Sequence, residues 1–486
     1  MTGASGVVDP GFEEAVRGLP LPLVVPDATR RVRELRAGAG LRVAVLDDDP
    51  TGSQSVHGVD VVTDPASLDD IDAALAAPGS VCFVLTNTRS MAVTDAVAVN
   101  GRLGTHLARA DRVPGRRTTV VSRSDSTLRG HVLAEVDALS AARRRVTGRG
   151  PDVVLFCPAF LEAGRFTVDG VHWARVGSGV LPVAATEFAR DAAFGYRSSD
   201  LRSFLAERGL GAARLADVRA LDLRDLRTGG PDRVEAVLSR APAGAFVVVD
   251  ALTDADLDVV ALGVAAVERR GRSVWMRCGP SFVRALAGID VVAPLDPARV
   301  WPHGRRTGHG LVAVGSHTAT STAQLDAAVA AGGLELVELD VARVLERRRR
   351  TAHLDAVTAA AAAALGRCDV AVATSRLVVT DPAGSTSLAV ARSVSAALSA
   401  VVAGLRPLRP AWVVTKGGIT SHDVALSGLG ITRARVLGQV LPGLISVLEP
   451  VAAPPEVLGM PWVVFAGNVG GPGALLDVLH LLRAPA

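Results

Sequence analysis

One pattern restricts the folds open to this chain more than any other. Short apolar, β-branched runs recur, and each breaks off into a polar loop that leads toward a helix. Residues 43–46 (VAVL), 80–85, 118–121 and 153–156 are such runs. Runs of this length, separated by helical stretches, predict buried parallel strands with helices covering both faces of the sheet. The pattern resumes at 246–249 and 274–276. It returns after residue 309, at 311–314, 334–339, 370–373, 412–414 and 462–465. Between the two series lies VAPLDPARVWPHGRRTGH (292–309), whose proline, glycine and arginine read as a linker. The expected fold is α/β: two α/β domains with mostly parallel sheets, joined by a linker, with an active site in the cleft between them. The expected boundaries are 1–295, 296–309 for the linker, and 310–486. A less regular excursion is expected over 177–240.

Composition excludes several classes. The 486 residues carry 52 basic and 49 acidic side chains, a net charge of +3, and the basic residues are spread out. The longest arginine run, 347–350, is read as a solvated helix end. No nucleic-acid footprint is therefore expected. The four cysteines lie far apart without CxxC or Cys/His spacing, so neither a disulfide framework nor a structural zinc site is indicated. Cys82, Cys157 and Cys368 read as buried small hydrophobes. The start, MTGASGVVDPGFEEAV, has no basic, apolar leader. No stretch reaches the ~18 apolar residues that span a bilayer. A cytoplasmic protein with no membrane or nucleic-acid partner is expected, and a homo-oligomer stays open.

The loops after the strands carry the chemistry. The first strand ends in Asp47, Asp48 and Asp49, followed by Pro50 and the small turn residues Thr51, Gly52 and Ser53. TNTRS offers Asn87, Thr88 and Arg89. SRSDSTLRG offers Arg123, Ser124, Asp125, Ser126, Thr127 and Arg129. Open α/β sheets bind ligands at the carboxyl ends of their strands. Guanidinium forks match a carboxylate, and aspartates accept hydrogen bonds from sugar hydroxyls or take a proton. The set suits a small polyhydroxy acid. The alternatives are a charged surface turn and, for Arg89 and Arg129, structural ion pairs.

The second series has glycine and hydroxyl loops instead: GSHTATST (315–322), ATSR (373–376), TKGGITSHD (415–423) and AGNVGGPGA (466–474). The last places Pro472 at an expected first helical position. Backbone N–H groups at helix starts bind anionic oxygens. Ordinary tight turns also need glycine. Lys416 is the only lysine in a chain that otherwise uses arginine. Either it survives by chance, or it marks a place where a compact ammonium is not exchangeable for a guanidinium, such as a phosphate site. Walker A, GxGxxG, HExxH and GxSxG patterns are lacking. His57, His131, His172, His317 and His422 sit in polar loops, where histidines are more often structural than catalytic.

Taken together, LDDDPTGSQSVHGV, TNTRS, SDSTLRGH, CPAFLEAGR, VGSHT, TKGGITSHD and GNVGGPGALLDVL resemble the four-carbon acid sugar kinase family. The resemblance runs from about Arg42 to Leu481. It implies an amino-terminal domain for a sugar acid such as threonate, erythronate or 3-oxo-tetronate, and a carboxy-terminal domain for ATP. It implies that Asp48, Asp49, Arg89, Asp125 and Arg129 face the acid, and that Ser316, Thr374, Ser375, Arg376, Leu377, Gly417 and Gly418 contact ATP. Asp47 lies outside the shared DD-x-TG pattern and reads as structural. The chain departs from the family with DDPTGS for DDFTGA, Arg123 where lysine precedes DSTLRG, and GNVG for GNFG. A divergent branch follows, with the particular acid unassigned.

The expected reaction is phosphoryl transfer from ATP to the acid's terminal hydroxyl, with Mg²⁺ held by ligands the sequence does not identify. Arg89 and Arg129 would hold the carboxylate, beside Asn87 and Arg123. One of Asp48, Asp49 and Asp125 would orient or deprotonate the hydroxyl. Lys416 and the amides around Gly417, Gly467, Asn468 and Gly470 would meet the phosphates. The competing readings are a sugar-acid sensor without catalysis, and an aldolase or isomerase needing no ATP.

Overall fold

The computed structural model describes residues 8–49, 52–375, 385–441, 444–467 and 469–484, with the backbone alone at 53–54 and 385–389. The chain divides into two compact units. The first comprises Met1–Gly52 and Ile71–Val291, the second Ser53–Asp70 and Val292–Ala486. Both differ from the expected boundaries. The segment after the acidic turn belongs to the second unit, and that unit resumes at residue 292 rather than after a linker ending at 309.

The first unit is built on a parallel sheet. Its strand order is Val81–Leu85, Leu41–Asp47, Arg117–Arg123, Val274–Cys278, Val153–Cys157, Ala245–Val249 and Arg219–Leu221. Leu41–Asp47 is buried along its whole length, as a strand covered on both faces must be. Asp47 is in register with both Leu85 and Arg123, and Arg123 with Cys278, so the polar loops leave the sheet at one edge.

The excursion is more ordered than expected. An antiparallel sheet of Arg165–Val168, Val171–Val176 and Gly179–Pro182 leads into it. Asp169 and Gly170 make the first turn, both at positive φ (52° and 73°), the mirror-image geometry that matches strand twist. The helix Leu223–Arg240 then kinks at Gly230, ahead of Pro231.

The second unit pairs Leu334–Leu339, Asp369–Thr374, Leu311–Val314, Val413–Lys416 and Trp462–Phe465 in parallel. Ile445–Ala452, Arg433–Leu441 and Asp60–Val62 extend this sheet antiparallel. The 433–452 hairpin was not anticipated, because Gly438 and Pro450 interrupt its alternation. Asp60 accepts from Arg435 Nε at 2.9 Å and ties the early strand to the late one.

The arginine run lies at helix ends as expected, between helix Val341–Leu345 and the start of helix Arg350–Leu365. Two local expectations change. Pro472 stands ahead of helix Ala474–Arg483 rather than at its first position. Cys368 is only partly buried, with its thiol on Glu335.

Candidate functional site

In the first unit, the carboxyl end of Leu41–Asp47 carries an interlocked set of charges. Arg89 sits on the short 3₁₀ turn Thr88–Ser90 that follows the neighbouring strand. Its Nη2 and Nε reach both oxygens of Asp48 (2.6 and 3.3 Å), and its Nη1 reaches Asp49 Oδ2 at 3.0 Å. Asp48 is 1% exposed. Burial pushes its carboxyl up, against the pull of Arg89. Asp49 has 28% of its side chain exposed. One backbone requirement holds the arrangement: Gly130 has φ +111°, and a Cβ there would lie 3.1 Å from Asp48 Oδ2.

Asp125 belongs to the same set. It accepts from Arg129 Nε at 2.7 Å and from the Thr127 hydroxyl. Burial pushes Asp125 up, but the Arg89 and Arg129 charges outweigh it and hold the carboxyl well below its usual range. Arg129 Nη1 also lies 3.5 Å from Asp191 Oδ2.

Two expected ligands have structural roles, one through its side chain and one through its backbone. Arg123 Nη1 donates to Asp47 Oδ1 at 2.8 Å, and both residues are buried. Burial pushes the Asp47 carboxyl up to about 7 despite Arg123. Asn87 adopts left-handed backbone (φ 50°), and its carbonyl accepts from Ser90. It is the turn residue that aims Arg89.

The structure adds residues that the loop reading did not reach. Glu135, 2% exposed, accepts from Thr88 Oγ1 (2.5 Å), Ser122 Oγ (3.1 Å) and Arg277 Nη1. Arg277 is fully buried at the end of strand Val274–Cys278. Both had a signal: an acid on the apolar stripe of helix Val132–Thr147, and an arginine inside an apolar strand.

His172 supports the Asp125 loop from the antiparallel sheet. Its Nε2–H donates to the Ser126 carbonyl at 2.8 Å, and its Nδ1 accepts from the Thr167 hydroxyl at 2.9 Å. The Tyr196 hydroxyl donates to the Thr127 carbonyl at 2.6 Å. Burial lowers the His172 pKa from 6.5 to about 4. Between those values the unfolded chain binds a proton that the folded chain refuses. The stability His172 contributes is therefore complete above pH 6.5 and is lost as pH falls toward 4, by about 3 kcal/mol in full. His172→Gln is expected to flatten the acid side of a plot of Tm against pH. An acid slope identical to that of the parent would contradict this.

In the second unit, Ser316 follows strand Leu311–Val314. Ser321 Oγ, in the first turn of helix Ala319–Ala330, donates to Gly467 O at 2.7 Å and lies 2.8 Å from Ser316 Oγ. Thr318 caps that helix and its hydroxyl also donates to Gly467 O, at 2.7 Å. Gln324 Nε2 donates to the Val469 and Gly471 carbonyls (both 2.9 Å) and more weakly to Gly470 O. Gly417, at φ +114°, lies close enough that a Cβ would stand 3.5 Å from Ser316. The 315–318 and 417–418 loops thus come together with Gly467, Val469 and Gly470.

Lys416 ends strand Val413–Lys416 within this group. It is fully buried, with Nζ 3.7 Å from the centre of the Phe465 ring and 3.4 Å from the Ala466 carbonyl. No carboxylate pairs with it among the described residues. Burial lowers its pKa to about 8. Thr374 and Ser375 spend their hydroxyls on the backbone, at the Val314 carbonyl (3.5 Å) and the Val341 amide (3.0 Å). Arg376, Leu377 and Asn468 lie outside the described residues. Among the described residues no group of three or more His, Cys, Asp or Glu could hold a metal ion. No helix among them is long and apolar enough to cross a membrane.

Comparison with known proteins gives this two-unit α/β protein its class. Residues 43–286 match the model of a sugar-binding N-terminal domain, and residues 311–475 that of a nucleotide-binding C-terminal domain. A D-threonate kinase of Bordetella bronchiseptica is 31% identical over 301 residues, covering 60% of this chain and 64% of that protein. A D-threonate kinase of Salmonella typhimurium is 26% identical over 306 residues, covering 63% and 65%. The matched regions thus span just under two thirds of those relatives. In fold, a solved Salmonella typhimurium protein matches with TM-score 0.66 at 17% identity, covering 91% of this chain and 100% of that one. A Haemophilus influenzae protein matches with TM-score 0.62 at 15% identity, covering 90% and 100%. The chain belongs to the four-carbon acid sugar kinase family.

Proposed function

We propose that this protein transfers the γ-phosphoryl group of ATP to a hydroxyl of a four-carbon sugar acid of the threonate type. The first unit binds the acid and the second binds the nucleotide. The observation that carries the reading is Lys416: a buried ammonium with no carboxylate partner among the described residues, set among glycine and hydroxyl loops. Such a charge is costly unless an anion meets it, and a nucleotide phosphate is that anion. The D-threonate kinase relatives support the acceptor class.

In this reading Arg89 aligns Asp48 and Asp49 through three of its nitrogens, and Arg129 meets the acid's carboxylate. Asp49, the more exposed of the pair, accepts the hydroxyl proton. The amides of the 315–318, 417–418 and 467–470 loops stabilise phosphate charge. Magnesium, when bound, would neutralise charge on the phosphate oxygens. With no carboxylate cage among the described residues, the donor set suits a cation that arrives on the nucleotide and keeps much of its water.

The test is ADP release with MgATP and each four-carbon sugar acid in turn. Turnover with D-threonate or a stereoisomer is expected. Acid binding without ADP release would favour the sensor, and conversion of the acid without ATP the aldolase or isomerase.

A further inference from the structure

We propose that Arg165 is a specificity residue for the acceptor acid, pairing with Arg129 to receive its carboxylate. This deepens the kinase reading and rests on it. Among the guanidinium groups around Asp125, Arg165 differs from the rest. Arg89 is taken by Asp48 and Asp49, Arg123 by Asp47, and Arg129 by Asp125 with Asp191 close by. Arg165 forms no ion pair or side-chain hydrogen bond among the described residues, and its Nε is buried without a partner.

Its position follows from strand alternation. Arg165 opens strand Arg165–Val168, and Thr167, two residues on, faces the same side. Thr167 holds His172, which holds the Ser126 carbonyl. The sheet face bearing Arg165 is thus the one that supports the Asp125–Arg129 loop. Its charge is felt there: Asp125 and Arg129 are the charged groups acting on it. Burial, with Arg129 adding to it, holds the Arg165 guanidinium below its ordinary value.

Phe188 joins the two arginines. Arg129 Cζ lies 5.3 Å and Arg165 Cζ 5.4 Å from its ring centre. One ring attracts each cation, but the two cations repel one another, and only Arg129 has a carboxylate. The ring fixes both groups in advance, so an arriving carboxylate does not have to order them. A purely structural Arg165 would stack on Phe188 in the same way but would not distinguish a charged from a neutral ligand.

The experiment measures acid binding by calorimetry without nucleotide, for the parent, Arg165→Gln and Arg165→Lys, using D-threonate and its uncharged amide. Thermal melts confirm that each variant is folded. Loss of a charge-assisted carboxylate contact is expected to weaken D-threonate binding roughly 10- to 100-fold in Arg165→Gln, with partial recovery in Arg165→Lys. Amide binding should change by no more than about twofold. Equal losses for acid and amide, or unchanged acid binding, would overturn the role of Arg165 while leaving the kinase reading standing. A parent protein that binds no four-carbon acid would overturn both.

Discussion

Lys416→Met is expected to cut kcat/KM for ATP by about 10²- to 10³-fold while raising the Tm of the unliganded protein. The two effects have one cause. The ammonium is buried against Phe465 with no carboxylate beside it among the described residues, so methionine removes a costly buried charge and keeps a favourable contact with the ring. Each kcal/mol recovered would raise Tm by roughly 2–4 °C for a domain of this size. Lys416→Arg is not a rescue, because a planar fork does not fit where a compact ammonium does. A pH signature accompanies the loss. The free ammonium titrates near pH 8, and a phosphate would favour its charged form. Nucleotide affinity should therefore decline as pH rises above about 8 in the parent, and not in Lys416→Met. Melts with and without MgATP, beside ADP-release kinetics, check both points. Undiminished nucleotide affinity in Lys416→Met sinks the assignment.

Asp49→Asn is expected to lower kcat by about 10²- to 10⁴-fold and to leave KM for the acid within a few-fold. Exposure separates it from Asp48. Both Asp48 oxygens are on Arg89 and the residue is 1% exposed, whereas Asp49 gives Arg89 one oxygen and keeps 28% of its side chain exposed. The amide keeps that hydrogen bond but cannot take a proton. Asp48→Asn should instead act on stability, since it weakens the countercharge beneath Arg89. Steady-state kinetics and melts of both variants decide the matter. A kcat within a few-fold of the parent for Asp49→Asn would remove the base from this residue.

How far the sequence could be read depended on the range of the interactions. The parallel strands were legible because each is a short apolar run whose burial on both faces shows in its own composition, as in Val43 to Leu46. Loops at strand ends were legible for the same local reason, and Asp48, Asp49, Arg89, Asp125 and Arg129 do come together. Partner choice was not. Nothing near Arg123 in sequence says that Asp47, on an adjacent strand, claims it. The sheet carrying Arg165 and His172 was announced only by the Asp169-Gly170 turn. The 433–452 hairpin was obscured by a glycine and a proline. The placement of residues 53–70 in the second unit depends on pairing across more than 370 positions, from Asp60 to Arg435, which no local pattern encodes.

That last placement bears on how the polypeptide is made and divided. The second unit ends its sheet with Asp60–Val62, a strand synthesised long before the rest of that unit. As the chain emerges, the first unit can gather its own strands while this segment waits as an insertion for a partner still to be translated. A single cut near residue 292 would therefore not yield two intact halves. The carboxy-terminal piece would expose the backbone of Arg433–Leu441 as an open edge, with Arg433 and Arg435 stripped of Asp60. Such an edge invites strand pairing with other copies. Inheritance of the two halves as one gene product is thus built into the hydrogen bonding of the second sheet.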